Sequence, residues 1–382
     1  MANQKNNLNT VCVHTGEVKD TQFKGAISPI FMSTSYAFED VEMKRYPRSF
    51  NSPNQEKLEN KIAALEGTES GMIFGSGMAA VTTTMLAFLK AGDHVVLQKT
   101  LYGGTQNMIR EELSRCGITY TLTEDLSREA FAKAIQENTK VLYTETPSNP
   151  LMTVTDLQMV GDLANKHGLV SMVDNTFASP VNQNPRDFGI DIIIHSATKY
   201  MGGHSDITAG AVACSAEHRE MIWQRAVNFG GSLSDFTVWM LERSLKTLVL
   251  RVRQQSENAL QLAQWLEKQE QVAKVYYPGL ESHPNHAIAK KQMSGFGGML
   301  SFELAKHLDA DTFQKELKMI KSSMSLAGVE STILSPAKTS HFLLTQEERD
   351  HQGISDGLLR FSTGIEEVEE IIADIEQAFR KL

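Results

Sequence analysis

Four kinds of reactive group recur beside apolar runs in this chain. Asp191–Asp206 contains three consecutive isoleucines (Ile192–Ile194) and then Ser196, Thr198, the amine of Lys199 and Gly202-Gly203. A lysine at the mouth of a buried strand either serves as a solvated loop charge or is held for attack on a carbonyl carbon. Asp174 ends another apolar run, Leu169–Val173, and Tyr102 precedes Gly103-Gly104. Gly75-Ser76-Gly77-Met78-Ala79-Ala80 follows a short strand and opens a helix of small residues. Such a turn presents backbone N–H groups to a phosphate.

The Gly75–Ala80 spacing also fits a dinucleotide fingerprint. That fold needs an acidic residue about 20 positions on, at the end of the second strand, to hold a ribose hydroxyl. Here the second strand ends in Gln98-Lys99, and Asp93 lies before it. A nicotinamide-dependent oxidoreductase is therefore a remote reading. A monophosphate cradle, a carboxylate, an aromatic and an amine together meet the needs of pyridoxal 5'-phosphate. Lys199 supplies the amine for its aldehyde, and Asp174 keeps its ring nitrogen protonated. Tyr102 covers the ring face, while Gly77, Met78, Ser196 and Thr198 take the phosphate.

The elements that position these groups alternate. Strands are expected at Met72–Phe74, His94–Gln98, Ile118–Thr123, Val141–Glu145, Leu169–Val173 and Ile192–Ile194, with helices between them, among them Leu58–Leu65 and Leu157–His167. This pattern predicts an α/β fold with a mainly parallel central sheet, whose ligands gather at the carboxyl ends of the strands. Ser234 to about Glu267 reads as one long helix or two joined end to end, and the remainder of the chain reads as a smaller α+β domain. That domain includes strands Met299–Phe302 and Leu358–Ser362, helix Ala310–Met319 and an amphipathic terminal helix carrying Val368, Ile371, Ile372, Ile375 and Phe379. The expected division is an arm over 1–57, a cofactor-binding large domain over 58–247 and a C-terminal small domain over 248–382. The arm is irregular and aromatic, and Tyr46-Pro47-Arg48 offers an anion clamp.

Composition excludes other classes. The 382 residues are 41% hydrophobic and 22% charged with net charge -9, so a nucleic-acid partner, which needs a basic face, is not expected. Three scattered cysteines suit reduced thiols, and no metal site is expected. His283 and His286 flank a proline loop and read as surface residues. No apolar run approaches the ~20 residues of a membrane helix, and the polar opening predicts no secretory leader. The expected location is cytoplasmic.

The stretches Gly75–Ala80, Leu101–Thr105, Glu145–Pro150, Val173–Phe177, His195–Gly203, Leu245–Arg251, Ser325–Ser331 and Leu359–Gly364 resemble the Cys/Met-metabolism (transsulfuration) family of pyridoxal-phosphate enzymes. The resemblance covers nearly the whole chain and implies fold type I. It implies Lys199 as Schiff-base lysine and proton shuttle, Asp174 at the ring nitrogen and Tyr102 stacked on the ring. Ser196, Thr198, Gly77 and Met78 would bind the phosphate, with Asn149 near the ring hydroxyl. Arg360 and Ser325 would clamp the substrate carboxylate, with Asn149 and Tyr46 also in the substrate-binding set. Tyr46 and Arg48 would reach the site of a neighbouring subunit in a homotetramer. The implied activity is C–S lysis or replacement on a sulfur amino acid, with cystathionine favoured and methionine γ-lyase or cystathionine β-lyase as alternatives. A non-catalytic, cofactor-binding relative is a remote alternative. Two positions depart from the pattern. An apparent extra residue lies in Tyr46–Asn54, and Met324 stands where a glutamate often precedes Ser325.

Overall fold

The computed structural model describes residues 7–339, 342 and 345–382. Apolar β-rich segments separated by helices fold into a seven-stranded sheet. Its strands are β1 (Ser70–Phe74), β2 (His94–Leu97), β3 (Thr119–Leu122), β4 (Thr139–Glu145), β5 (Val170–Asp174), β6 (Ile192–His195) and β7 (Gly210–Cys214). Their order is β1-β7-β6-β5-β4-β2-β3. All pairs are parallel except those made by β7, which runs against both neighbours. The other six strands therefore deliver their carboxyl ends to one edge.

The sheet is buried on both faces, as its unbroken Val and Ile runs require. Ile73, Val96, Leu142, Val173 and Ile193 pack into one core, and Met72, Val95, Val141, Met172 and Ile192 into the other. β7 is absent from the expected strands. Its Gly-Ala-Val-Ala-Cys lacks bulky alternation, and only the space between β1 and β6 makes it a strand. The helix expected from Leu58 begins earlier, at Pro53, because Ser52 and Gln55 form a capping box ahead of it. The arm also contains a short helix, Leu8–His14, capped by Asn7.

A second sheet, ordered β10-β11-β12-β9-β8, is built from β8 (Val272–Tyr276), β9 (Met299–Leu304), β10 (Lys321–Ser322), β11 (Thr332–Leu334) and β12 (Leu358–Ser362). Helices Leu248–Leu266, Ala310–Glu316 and Val368–Phe379 cover it, with Phe302, Phe313, Phe361 and Phe379 in a common core. The helix expected to reach Met319 stops at Glu316. The long connection takes the two-helix form, Asp235–Leu245 and Leu248–Leu266, broken at Lys246-Thr247. His283 corrects its surface reading. It is 4% exposed, and burial drives its imidazole proton affinity down to about 4.

Arg251, buried on the second of these helices, reaches back to the turn after Lys199. Its guanidinium donates to the Tyr200 carbonyl at 2.8 Å and the Ser244 carbonyl at 3.0 Å. Gly203 has φ +65°, and a Cβ there would stand 1.8 Å from Arg251 Nη1. Only glycine lets this clamp close.

Candidate active site

The strand ends open into a cavity of about 580 Å³ between the large sheet and the small one. Ten of the twelve residues singled out in the sequence line it: Gly77, Met78, Tyr102, Asn149, Asp174, Ser196, Thr198, Lys199, Ser325 and Arg360. Their positions follow from the chain direction. Lys199 lies on the loop after β6, Asp174 ends β5, Asn149 follows β4, Tyr102 follows β2, and Gly77 follows β1. Arg360 arrives from β12 and Ser325 from the loop after β10, so the small sheet closes the cavity from the other side.

Lys199 Nζ donates to Ser325 Oγ at 2.8 Å. Burial, with the Arg360 charge second, lowers the proton affinity of this amine to about 8. A larger share of it is thus neutral and nucleophilic near pH 7 than for an ordinary lysine. Arg360 is buried, and its Nη2 donates to the Ser325 carbonyl at 3.0 Å while Nη1 donates to Asn149 Oδ1 at 3.1 Å. Ser325 adopts φ +76°, an unusual conformation for a serine, and these two contacts hold it there.

At the far wall, Asp174 is buried and has no ion-pair partner among the described residues. Burial raises its carboxyl above the usual range, against hydrogen bonds from Thr176 that lower it. Beside it stands Glu145, in register across β4 and β5, also raised by burial and then by the Asp174 charge. Two buried carboxyls facing one cavity call for a cation between cavity and wall.

The Gly77–Phe88 helix begins at this edge. Ser76 Oγ accepts from the N–H of Ala79 at 3.1 Å, leaving those of Gly77 and Met78 ahead of the first intrahelical bond. A Cβ at Gly77 would lie 2.7 Å from Ser196 Cβ, so a side chain there would collide with the Ser196 loop. Thr198 Oγ1 is held by the Ala209 main chain, and the Ser196 N–H donates to Thr176 Oγ1 at 2.8 Å. Asn149 Nδ2 is buried without a partner among the described residues. A flat cationic ring with a hydroxyl and a phosphate arm fits this donor set. The Asp174 carboxyl would meet its nitrogen, the orphaned amide its hydroxyl, and the helix N-terminus its phosphate.

The sequence profile described as "Cys/Met metabolism PLP-dependent enzyme" matches residues 9–380. The chain belongs to that family. It is 42% identical over 378 residues to the cystathionine gamma-lyase of Bacillus subtilis, covering 98% of this chain and 99% of the relative. It is 41% identical over 379 residues to the cystathionine beta-lyase of Lactococcus lactis subsp. cremoris, again at 98% and 99% coverage. Cystathionine gamma-lyase from Lactobacillus plantarum complexed with L-serine superposes with a TM-score of 0.94 at 37% identity, covering 98% of both chains. The protein is thus a fold type I enzyme that uses pyridoxal phosphate, like other members of the Cys/Met metabolism family.

Tyr46 and Arg48 lie outside the cavity of their own chain. Tyr46 is 47% exposed, and Arg48 sits 5.5 Å over its ring and donates to the Val227 carbonyl. Sequence reasoning missed Glu145, whose two oxygens accept from the N–H groups of Tyr102 and Asn149. Its signal was available, as an acid ending a strand parallel to the one that carries Asp174. Met324 lines the cavity and is 74% exposed, so its apolar chain stands at the mouth. Among the described residues no group of three His, Cys, Asp or Glu side chains could hold a metal.

Proposed function

We propose that this enzyme cleaves a C–S bond of cystathionine by elimination, with replacement at the same carbon as a related outcome. The observation that carries the reading is the continuous contact Lys199–Ser325–Arg360–Asn149 along the cavity lining, which puts a nucleophilic amine beside a carboxylate-binding guanidinium. Pyridoxal phosphate, once bound, supplies an aldehyde carbon for the substrate's amine and a ring that takes up the electron pair left at Cα. Gly77, Met78, Ser196 and Thr198 hold its phosphate, Asp174 its ring nitrogen, Asn149 its hydroxyl, and Tyr102 its face.

Arg360, seated by Asn149 and the Ser325 carbonyl, takes the substrate carboxylate in a two-pronged grip and turns the Cα–H bond toward Lys199. Lys199, as a neutral amine, would remove the Cα proton at Nζ. The same nitrogen then returns a proton as the sulfur leaves. Ser325 Oγ, 2.8 Å from Nζ, keeps the amine aimed at Cα. Tyr46 and Arg48 complete the phosphate site of a second copy, in a homotetramer of paired active sites. The arm (1–57), cofactor domain (58–247) and closing domain (248–382) are parts of the same proposal. Three free cysteines, two of them buried, support a reducing cytoplasmic setting, and no helix among the described residues is long and apolar enough to cross a membrane.

Methionine is the second substrate to consider, because uncharged Met324 at the mouth favours an apolar thioether end. Incubation with cystathionine, methionine, cysteine and O-acylated homoserine, with identification of the keto acid or thioether formed, tests the reading. Cystathionine is expected to turn over fastest, and Lys199→Ala to lose at least about 10³ in rate while also losing the borohydride-fixable cofactor. Full turnover by Lys199→Ala would sink the assignment.

A further inference from the structure

Glu145 is the last residue of β4, is 5% exposed and lines the cavity beside Asp174. Its two oxygens serve two different segments of the cavity lining. Oε2 accepts the N–H of Tyr102 at 2.7 Å, at the start of the Gly103–Asn107 helix. Oε1 accepts the N–H of Asn149 at 3.1 Å, in the loop after β4. Tyr102 and Asn149 are far apart in sequence, so no local turn spaces them. The Glu145 carboxylate bridges them directly.

Its main chain is fixed in turn. Gln98 Oε1 accepts the Glu145 N–H at 3.1 Å, and Gln98 Nε2 donates to the Glu145 carbonyl at 2.8 Å. Thr155 Oγ1 donates to the same Gln98 oxygen at 2.9 Å. Beyond Asn149 the contact continues through Arg360 and Ser325 to Lys199 Nζ. No cation among the described residues pairs with Glu145. A buried carboxyl without a counter-ion is costly to keep, and two backbone donors aimed at it are its recompense.

We propose that Glu145 is a positioning residue. It sets the spacing between the Tyr102 wall and the Asn149 wall, and thereby the fit of the cofactor ring and, through Asn149 and Arg360, the seat of the substrate carboxylate. The inference rests on the proposed roles of Tyr102, Asn149 and Arg360. Glutamine at 145 has the same shape but turns an NH₂ toward one of the two N–H donors, so one wall is released. Aspartate keeps the carboxyl but is one methylene shorter and reaches one wall at a time.

The test is an absorbance titration of apoprotein with pyridoxal phosphate, together with kcat and KM for the preferred substrate. Glu145→Gln is expected to weaken cofactor binding about tenfold or more, the effect of leaving one buried donor unmet, and to raise KM more than it lowers kcat. Glu145→Asp falls between Glu145→Gln and the parent. The melting-temperature gap between apo and holo protein narrows in both. Glu59→Gln, which alters a buried carboxyl paired with Arg219 away from the cavity, leaves cofactor affinity unchanged. Parent-like cofactor affinity and KM in both Glu145 variants overturn the proposal. So does failure of both to fold in excess cofactor, which would make Glu145 a framework residue. Tyr102→Ala separates the two readings. If it binds cofactor like the parent, the role of Tyr102 itself is wrong; if it binds weakly while Glu145→Gln does not, only the role of Glu145 fails.

Discussion

Lys199 owes its chemistry to its surroundings. The amine is lowered to about 8 first by burial and second by the Arg360 charge. Because the shift is downward, the neutral amine accumulates as pH rises through about 8 rather than near the usual lysine range. The rate at which apoprotein takes up pyridoxal phosphate is therefore expected to climb between about pH 7 and 9 and then level, when monitored by absorbance after mixing. Arg360→Gln removes the neighbouring charge, so its midpoint should move upward. An unmoved midpoint would mean that the guanidinium does not act on the amine. The same guanidinium that is proposed to seat the substrate carboxylate thus also lowers the proton affinity of the Lys199 amine.

At the scale of elements, the Pro53–Glu66 helix links an ordinary capping motif to the site. Its start is closed by Ser52, which accepts from the Gln55 N–H at 3.2 Å and donates to the buried Asp235 carboxylate. Its last residue, Glu66, accepts from His195 Nε2 at 2.6 Å and Asn175 Nδ2 at 3.0 Å. Those two residues adjoin Ser196 and Asp174, so the helix end holds β5 and β6 in place behind the cavity. Ser52→Ala removes the cap and leaves Asp235 short of a donor. The expected loss is about 2 kcal/mol or somewhat more, measured by urea unfolding of the apoprotein. Per-site activity of the folded protein should be nearly unchanged. A loss under about 0.5 kcal/mol would show that the cap is redundant with the packing of Leu58 and Ile62.

For the whole molecule, the arm is the unusual feature. Phe23, Ile27, Met32 and Phe38 are all more than half exposed, and Phe229 and Phe236 add to the apolar surface. Exposed apolar side chains concentrated in this way suit the proposed contact with a second copy. If the arm lies against a second copy and lends it Tyr46 and Arg48, assembly and catalysis fail together. Replacing Phe23 and Phe38 with Asp is expected to lower the mass measured by sedimentation and to weaken cofactor retention in parallel. A double variant that keeps full mass, or becomes smaller with undiminished cofactor affinity, would refute this use of the arm.

Lys199, Asp174, Tyr102 and the Gly75–Ala80 turn were legible in the sequence because each lies just past an apolar run. The end of a parallel strand is a place that local pattern alone can locate. Glu145 came after such a run too, but its worth lies in two N–H groups brought from distant segments. β7 escaped because small residues acquire strand geometry only from the neighbours that flank them. His283 looked like a surface residue beside Pro284, yet long-range packing buried it. The chain's own pattern thus pointed to the fold class, the cofactor and ten of the residues that line the cavity. Tertiary structure alone decided which carboxyl stands beside which, how far an amine is shielded from water, and that Tyr46 and Arg48 do not line the cavity of their own chain. Periodicity is a property of neighbours in sequence, whereas burial and charge proximity belong to neighbours in space.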